Sequence, residues 1–193
     1  SNHDETITSL ILNEKDDKIR EDIKFLPIKV AEVFPNLLQY SATFCAIQTV
    51  RKENFLHLKK LQKLKLFSNK IKTINEDSFT DLTSLIDLNL SNNLIENISP
   101  KLFENLRQLR FLHLGKNQLK ALPQNIFSKL PRLTFLWLNG NQLMALEDGV
   151  FDKNFKLKLI DLRKNPIGSV RESIFGGLIE KRKLYLLENV QLV

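Results

Sequence analysis

The sequence predicts an α/β solenoid, a right-handed, curved stack of short parallel strands forming a concave sheet, backed by an irregular or 3-10 convex side. Three columns of residues predict it. Asn69, Asn93, Asn117, Asn141, Asn165 and Asn189 recur every 24 residues. Phe55, Phe79, Phe103, Phe127, Phe151 and Phe175 keep the same step, as do Leu66, Leu90, Leu114, Leu138, Leu162 and Leu186. A fixed period of this length means one small unit repeated. A single unit cannot bury its apolar face, whereas stacked units share one continuous core.

Each element of the unit has a physical reason. In Leu109-Arg110-Phe111-Leu112-His113-Leu114-Gly115-Lys116-Asn117-Gln118-Leu119 the leucines at 112 and 114 alternate with other residues, the mark of a strand with one face buried. The chain turns at Asn, whose amide supplies donors and an acceptor where ladder hydrogen bonding stops. A more irregular return leg follows, carrying Ile98, Phe103 and Leu106 in one unit. The Phe column fills the convex side, each ring burying about 150–250 Å². Both columns are structural before they are anything else.

These residues resemble the leucine-rich repeat signature, in the 24-residue "typical" form with Phe on the return leg. That form is found mainly in animal extracellular proteins, among them Toll-like receptors, axon-guidance proteins and secreted insect immune proteins. The resemblance covers about residues 35–193. It implies a horseshoe of about seven units, the last incomplete, and an extracellular setting, secreted or as the ectodomain of a surface protein. Cys45 falls in the asparagine column, where the family pattern allows Cys, and reads as a small buried thiol closing that turn. Residues 1–34 read as a cap and degenerate repeat, with a strand near Ile7–Leu12, a charged loop at Glu14–Asp22 and a second irregular strand around Ile23–Ile28. Val30 to Pro35 resembles a worn return leg. Members of the family usually carry disulfide-bonded caps, and this chain has a single cysteine, which weakens the inference to an oxidising compartment. The open end at Leu184 to Val190 points to an excerpt from a longer protein or an unusual cap. It also raises a homodimer through Tyr185, Leu187 and Val190.

Composition and motifs exclude more than they propose. The chain has 193 residues and a net charge of +7, which allows an anionic partner without demanding one. A lone cysteine rules out an internal disulfide and a multi-cysteine zinc site. No apolar run approaches the ~18 residues of a membrane span, and the polar start reads as one whose signal peptide was either never there or has been removed. Phosphate-binding glycine loops and the nucleophile elbow are absent. His3, His57 and His113 lack ligands at metal spacing. The acidic run at 14–17 lacks the calcium-loop pattern. The chain therefore reads as a non-enzymatic protein without cofactor or metal. Two sequons, Asn89-Leu90-Ser91 and Asn97-Ile98-Ser99, mark Asn89 and Asn97 as possible glycosylation sites, the second followed by Pro100.

Strand residues between the leucines project from the concave sheet. One projecting column reads Gln39, Lys63, Asp87, Phe111, Phe135, Leu159, Lys183, and the next reads Ser41, Lys65, Asn89, His113, Trp137, Asp161, Tyr185. A third runs Thr43, Phe67, Ser91, Gly115, Asn139, Arg163, Leu187. Adjacent strands lie about 4.8 Å apart, so Phe111, Phe135, Leu159 and Trp137 are expected to form one apolar patch. His113, Asp161 and Arg163 are expected at its border. Two readings stay open: a protein-binding or self-association surface, and sheet packing without function. Positive charge concentrates elsewhere, with Arg51 and Lys52, Lys59, Lys60, Lys63, Lys65, Lys70 and Lys72 against Glu53 alone. Those basic units 51–72 raise an alternative partner, an anionic polymer such as nucleic acid or sulfated glycan, although no aromatic platform interleaves with them.

Overall fold

The computed structural model describes residues 7–12 and 22–175, and the backbone of Lys183–Tyr185 and Gln191–Leu192. Eight strands form one sheet in chain order, every neighbouring pair parallel. They are Ser9–Leu12, Gln39–Ala42, Lys63–Lys65, Asp87–Asn89, Phe111–His113, Phe135–Trp137, Leu159–Asp161 and Lys183–Tyr185. From Gln39 onward each residue pairs with the one 24 positions later, as in Gln39 with Lys63 and Phe111 with Phe135. The return legs are turns, with a 3-10 helix at Lys52–Asn54. Two short parallel ladders lie there as well, Thr49–Val50 with Thr73–Ile74 and Ser169–Val170 with Gln191–Leu192.

The core sits between sheet and return legs. Leu64, Leu88, Leu112, Leu136 and Ile160, each at the centre of its strand, are fully buried, and so is the Phe column from Phe55 to Phe175. Each buried aliphatic side chain stabilises the fold by about 1.5–3 kcal/mol. The Phe column also sets the curvature. Its neighbouring rings lie 5.9–6.5 Å apart, wider than the ~4.8 Å between hydrogen-bonded strands. A stack wider on the ring side than on the sheet side bends, with the sheet inside.

The asparagines form a continuous zipper. Asn117 Nδ2 donates to Leu90 O and Leu114 O, both at 3.0 Å, and its Oδ1 accepts Ile95 N–H at 3.1 Å. Leu114 O accepts from Asn141 too, and Leu90 O from Asn93, so each leucine carbonyl is shared by two units. Cys45 does the same work weakly: it is fully buried, with Sγ 3.3 Å from Thr43 O and 3.9 Å from Leu12 O. The residue before each column member, Phe44, Ser68, Asn92, Lys116, Gly140 and Lys164, has φ between 51° and 67°. Only Gly140 adopts that left-handed turn without strain. The others cost about 1–2 kcal/mol each, offset by the ladder bonds beside them.

The strand expected near Ile7–Leu12 forms as Ser9–Leu12 and joins the sheet parallel to Gln39–Ala42, at an offset of 30 residues rather than 24. No strand forms around Ile23–Ile28. Ser9–Leu12 already holds the sheet edge, and Pro27 has no N–H to offer a ladder. That segment is fastened instead by Ala46 N–H to Ile23 O at 2.9 Å and Asn54 Nδ2 to Leu26 O at 3.1 Å. Where a worn return leg was expected, Val30–Val33 makes one helical turn that buries Val30. The charged loop at 14–21 and the residues Leu186, Leu187, Asn189 and Val190 lie outside the described residues.

Candidate functional site

Parallel pairing at constant register stacks like positions directly over one another. It brings Phe111 beside Phe135 and His113 beside Trp137. The first pair of rings is parallel within 2° at 5.2 Å, the second within 4° at 3.9 Å. Phe135 and Trp137, on one strand, lie 5.9 Å apart at 16°. Leu159 continues the Phe column next to Phe135. The expected patch is thus assembled as a two-by-two array of rings on the concave face. Neighbouring rings cover one another, and each is half-buried.

The border differs from expectation in one respect. Asp161 does not present its carboxylate to solvent. It is 3% exposed, and Arg163 grips it with Nε at 2.9 Å and Nη2 at 2.7 Å while also donating its backbone N–H. The fork geometry of guanidinium on carboxylate makes this a short, oriented pair. Arg163 remains about half exposed beyond it. Ser41 and Thr43, expected to project, are buried as well.

His113 carries a polar contact that periodicity did not foresee. Its Nε2 lies 3.8 Å from Asp87 Oδ1 on the preceding strand. Burial lowers the imidazole pKa, and the Asp87 charge opposes that only in part. A neutral ring therefore stacks on Trp137 near pH 7. The offset of 24 residues between Asp87 and Phe111 put this carboxylate one strand and one column from His113, which was the signal available in the sequence.

On the turn side of the array a depression of about 270 Å³ is lined by Ser91, Asn92, Gly115 and Asn139 among others. A Cβ at Gly115 would sit 2.6 Å from Asn139 Oδ1 and 3.1 Å from Asn139 O, so any side chain there would displace the Asn139 amide. Asn89 faces the same sheet, its Oδ1 accepting from Ser91 N–H at 3.0 Å and Ser91 Oγ at 2.7 Å. Asn97 is exposed on the return leg. Among the described residues no group of three or more His, Cys, Asp or Glu could hold a metal ion. Nor, among them, is any helix long and apolar enough to cross a membrane.

A curved parallel sheet backed by a Phe spine and an Asn zipper, with its ring array on the open face, has the architecture of a recognition scaffold. The chain belongs to the leucine-rich repeat family, whose signature matches residues 43–95 and 85–143. Its fold is similar to that in the crystal structure of a TLR13–ssRNA13 complex, with a TM-score of 0.82 and 26% identity, covering 95% of this chain and 25% of that one. The internalin inlF of Listeria monocytogenes shares the fold with a TM-score of 0.68 at 22% identity, covering 88% of this chain and 47% of the other. The APL1 leucine-rich repeat domain does so with a TM-score of 0.69 at 20% identity, covering 80% and 44%. This chain spans about a quarter of the first of these and less than half of the other two. No curated protein matches it by sequence. Fold and family define a module for recognising proteins or other ligands.

Proposed function

We propose that the chain is a non-enzymatic, extracellular recognition module that binds a protein partner through its concave sheet, in innate immunity or cell-surface recognition. The ring array of Phe111, His113, Phe135 and Trp137 carries this reading, with Leu159 extending it and Arg163 at its border. Large aromatic side chains standing together on a sheet face are the residues that anchor interfaces. No described element of the chain packs across them. Asp161 contributes by orienting Arg163 rather than by touching the partner. A glycan on Asn89 would sit beside His113, its pairing neighbour, and block the face, whereas one on Asn97 would leave it open.

The test is affinity capture from the source fluid by the wild-type chain, identification of the captured protein by mass spectrometry, and titration of the purified pair. Trp137→Ala and Phe135→Ala should each weaken binding about tenfold or more, since one such anchor carries ~2 kcal/mol or more. Normal binding by both variants would end the concave-face reading.

A second reading is an anionic polymer at the basic units 51–72. Its support is their local charge and the likeness to TLR13, whose structure is that of an ssRNA complex. Elution from heparin resin separates the two. Release by about 0.2 M salt favours the protein partner, and retention beyond about 0.5 M favours the polymer.

A further inference from the structure

Beside the ring array, along the edge where the strands begin, runs an open groove of about 650 Å³. Arg110, Arg132, Lys156 and Lys158 line it, together with Phe135 and Phe155. The repeat builds this cluster. Arg110, Thr134 and Lys158 each immediately precede a strand and stack in one column, tied by Thr134 N–H to Arg110 O at 2.9 Å and Lys158 N–H to Thr134 O at 2.7 Å. Arg132 and Lys156 form a second column two residues earlier. Arg132 and Lys156 flank neighbouring strands, about 4.8 Å apart, while Arg110 and Lys158 lie two strands apart with Thr134 between them.

None of these four cations pairs with a carboxylate among the described residues; Arg132 donates to Gln108 Oε1. Ion pairs do form at single positions of the surface, as in Lys101 with Glu76, Lys120 with Glu96 and Arg171 with Asp148, whereas these four cations stand together without one. A row of like charges without counter-charge is complementary to an anionic ligand. The groove is not only charged. Phe155 is 72% exposed on its wall, the ring of Phe135 lies beside it, and only Thr134 adds a neutral polar side chain. The ligand must therefore carry apolar groups between its anions.

The lining favours a peptide over a nucleic acid. Phe111 and Phe135, parallel at 5.2 Å, each cover one face of the other, whereas a single strand is held by successive bases stacked on open rings. Phe155, 72% exposed, offers apolar surface to an aliphatic side chain. The two arginine forks match carboxylates bidentately.

We propose that this groove holds an acidic peptide segment of the protein partner, its carboxylates on Arg110, Arg132, Lys156 and Lys158 and an apolar side chain between Phe135 and Phe155. The proposal rests on the concave-face reading, because the groove is continuous with the ring array through Phe111 and Phe135.

The test is fluorescence anisotropy with a short labelled peptide alternating Glu and Leu. Comparison ligands are the same peptide with Ser for Leu, a single-stranded oligouridylate and heparin. Wild type should bind the Glu–Leu peptide best, with affinity falling as salt rises. The double variant Lys156→Glu, Lys158→Glu should weaken it about tenfold or more, and Phe155→Ala severalfold; all three positions are exposed, and retained melting temperature checks the fold. The control Asn97→Ala, on an exposed return leg outside the groove, should leave this peptide's affinity unchanged. Peptide binding insensitive to charge reversal, equal binding of the Ser peptide, or tighter binding of oligouridylate or heparin overturns the groove proposal. The Trp137 dependence of capture of the whole partner is a separate result and decides the concave-face reading alone.

Discussion

Replacing Asn117 by Ala tests what holds successive units together. Asn117 is buried, and its side chain makes bonds to Leu90 O, Leu114 O and Gly115 O and receives one from Ile95 N–H. Their fates after truncation differ. Leu90 O keeps Asn93 and Leu114 O keeps Asn141, so neither carbonyl is orphaned. Ile95 N–H has no such second partner and is left buried and unsatisfied, at about 1–3 kcal/mol. The two bonds at 3.0 Å add about 0.5–1.5 kcal/mol each, while the longer one to Gly115 adds little. Relaxation recovers part of this sum, leaving an expected loss of ~2–4 kcal/mol. Urea unfolding followed by far-ultraviolet circular dichroism measures it. Because Asn117 joins two neighbouring units, loss of the zipper should also lower the denaturant slope, as units on either side begin to unfold separately. The control Asn97→Ala, on an exposed return leg, should change stability by less than about 0.5 kcal/mol. A loss at Asn117 below ~1 kcal/mol, with the slope unchanged, would refute the zipper as the source of inter-unit cohesion.

Other consequences are as direct. Leu138→Ala empties a fully buried site and should cost about 2–5 kcal/mol, whereas Trp137→Ala, one residue away, loses only its stacking and partial burial, about 1–2 kcal/mol; calorimetric melts rank the two, and equal losses would contradict the assigned faces. Cys45 is fully buried and should react with a thiol reagent only as the chain unfolds, while Cys45→Asn, supplying the amide used at the described turns from Asn69 to Asn165, should stay within about 1–2 kcal/mol of wild type. Burial lowers the pKa of His113 in the fold, so the unfolded chain takes up that proton first as pH falls. Its contribution to stability is therefore intact above the ordinary value of about 6.5 and is lost as pH drops through it. Denaturation at a series of pH values should show His113→Gln with a flatter acid limb than wild type, and parallel limbs would contradict the burial of His113.

The sequence by itself determined the registers. Every unit touches only its neighbours, so a residue's column follows from counting by 24, and counting placed Phe111 over Phe135, His113 over Trp137 and Cys45 beneath its turn. Only the tertiary structure decided what the period does not encode. Ser9–Leu12 joins the sheet at an offset of 30, which hides it from the repeat while its alternating side chains still satisfy the edge. Column membership says that a side chain projects but not how it turns, and Arg163 turned back onto Asp161, taking a carboxylate expected at the surface. The period does not say how neighbouring rings tilt, and only the packed structure laid them parallel at 3.9 and 5.2 Å, each half-buried. The cations of the groove come from two columns, with Phe155 on neither. Each is an ordinary strand-flanking residue in the chain, and bending of the sheet edge gathers them on one wall.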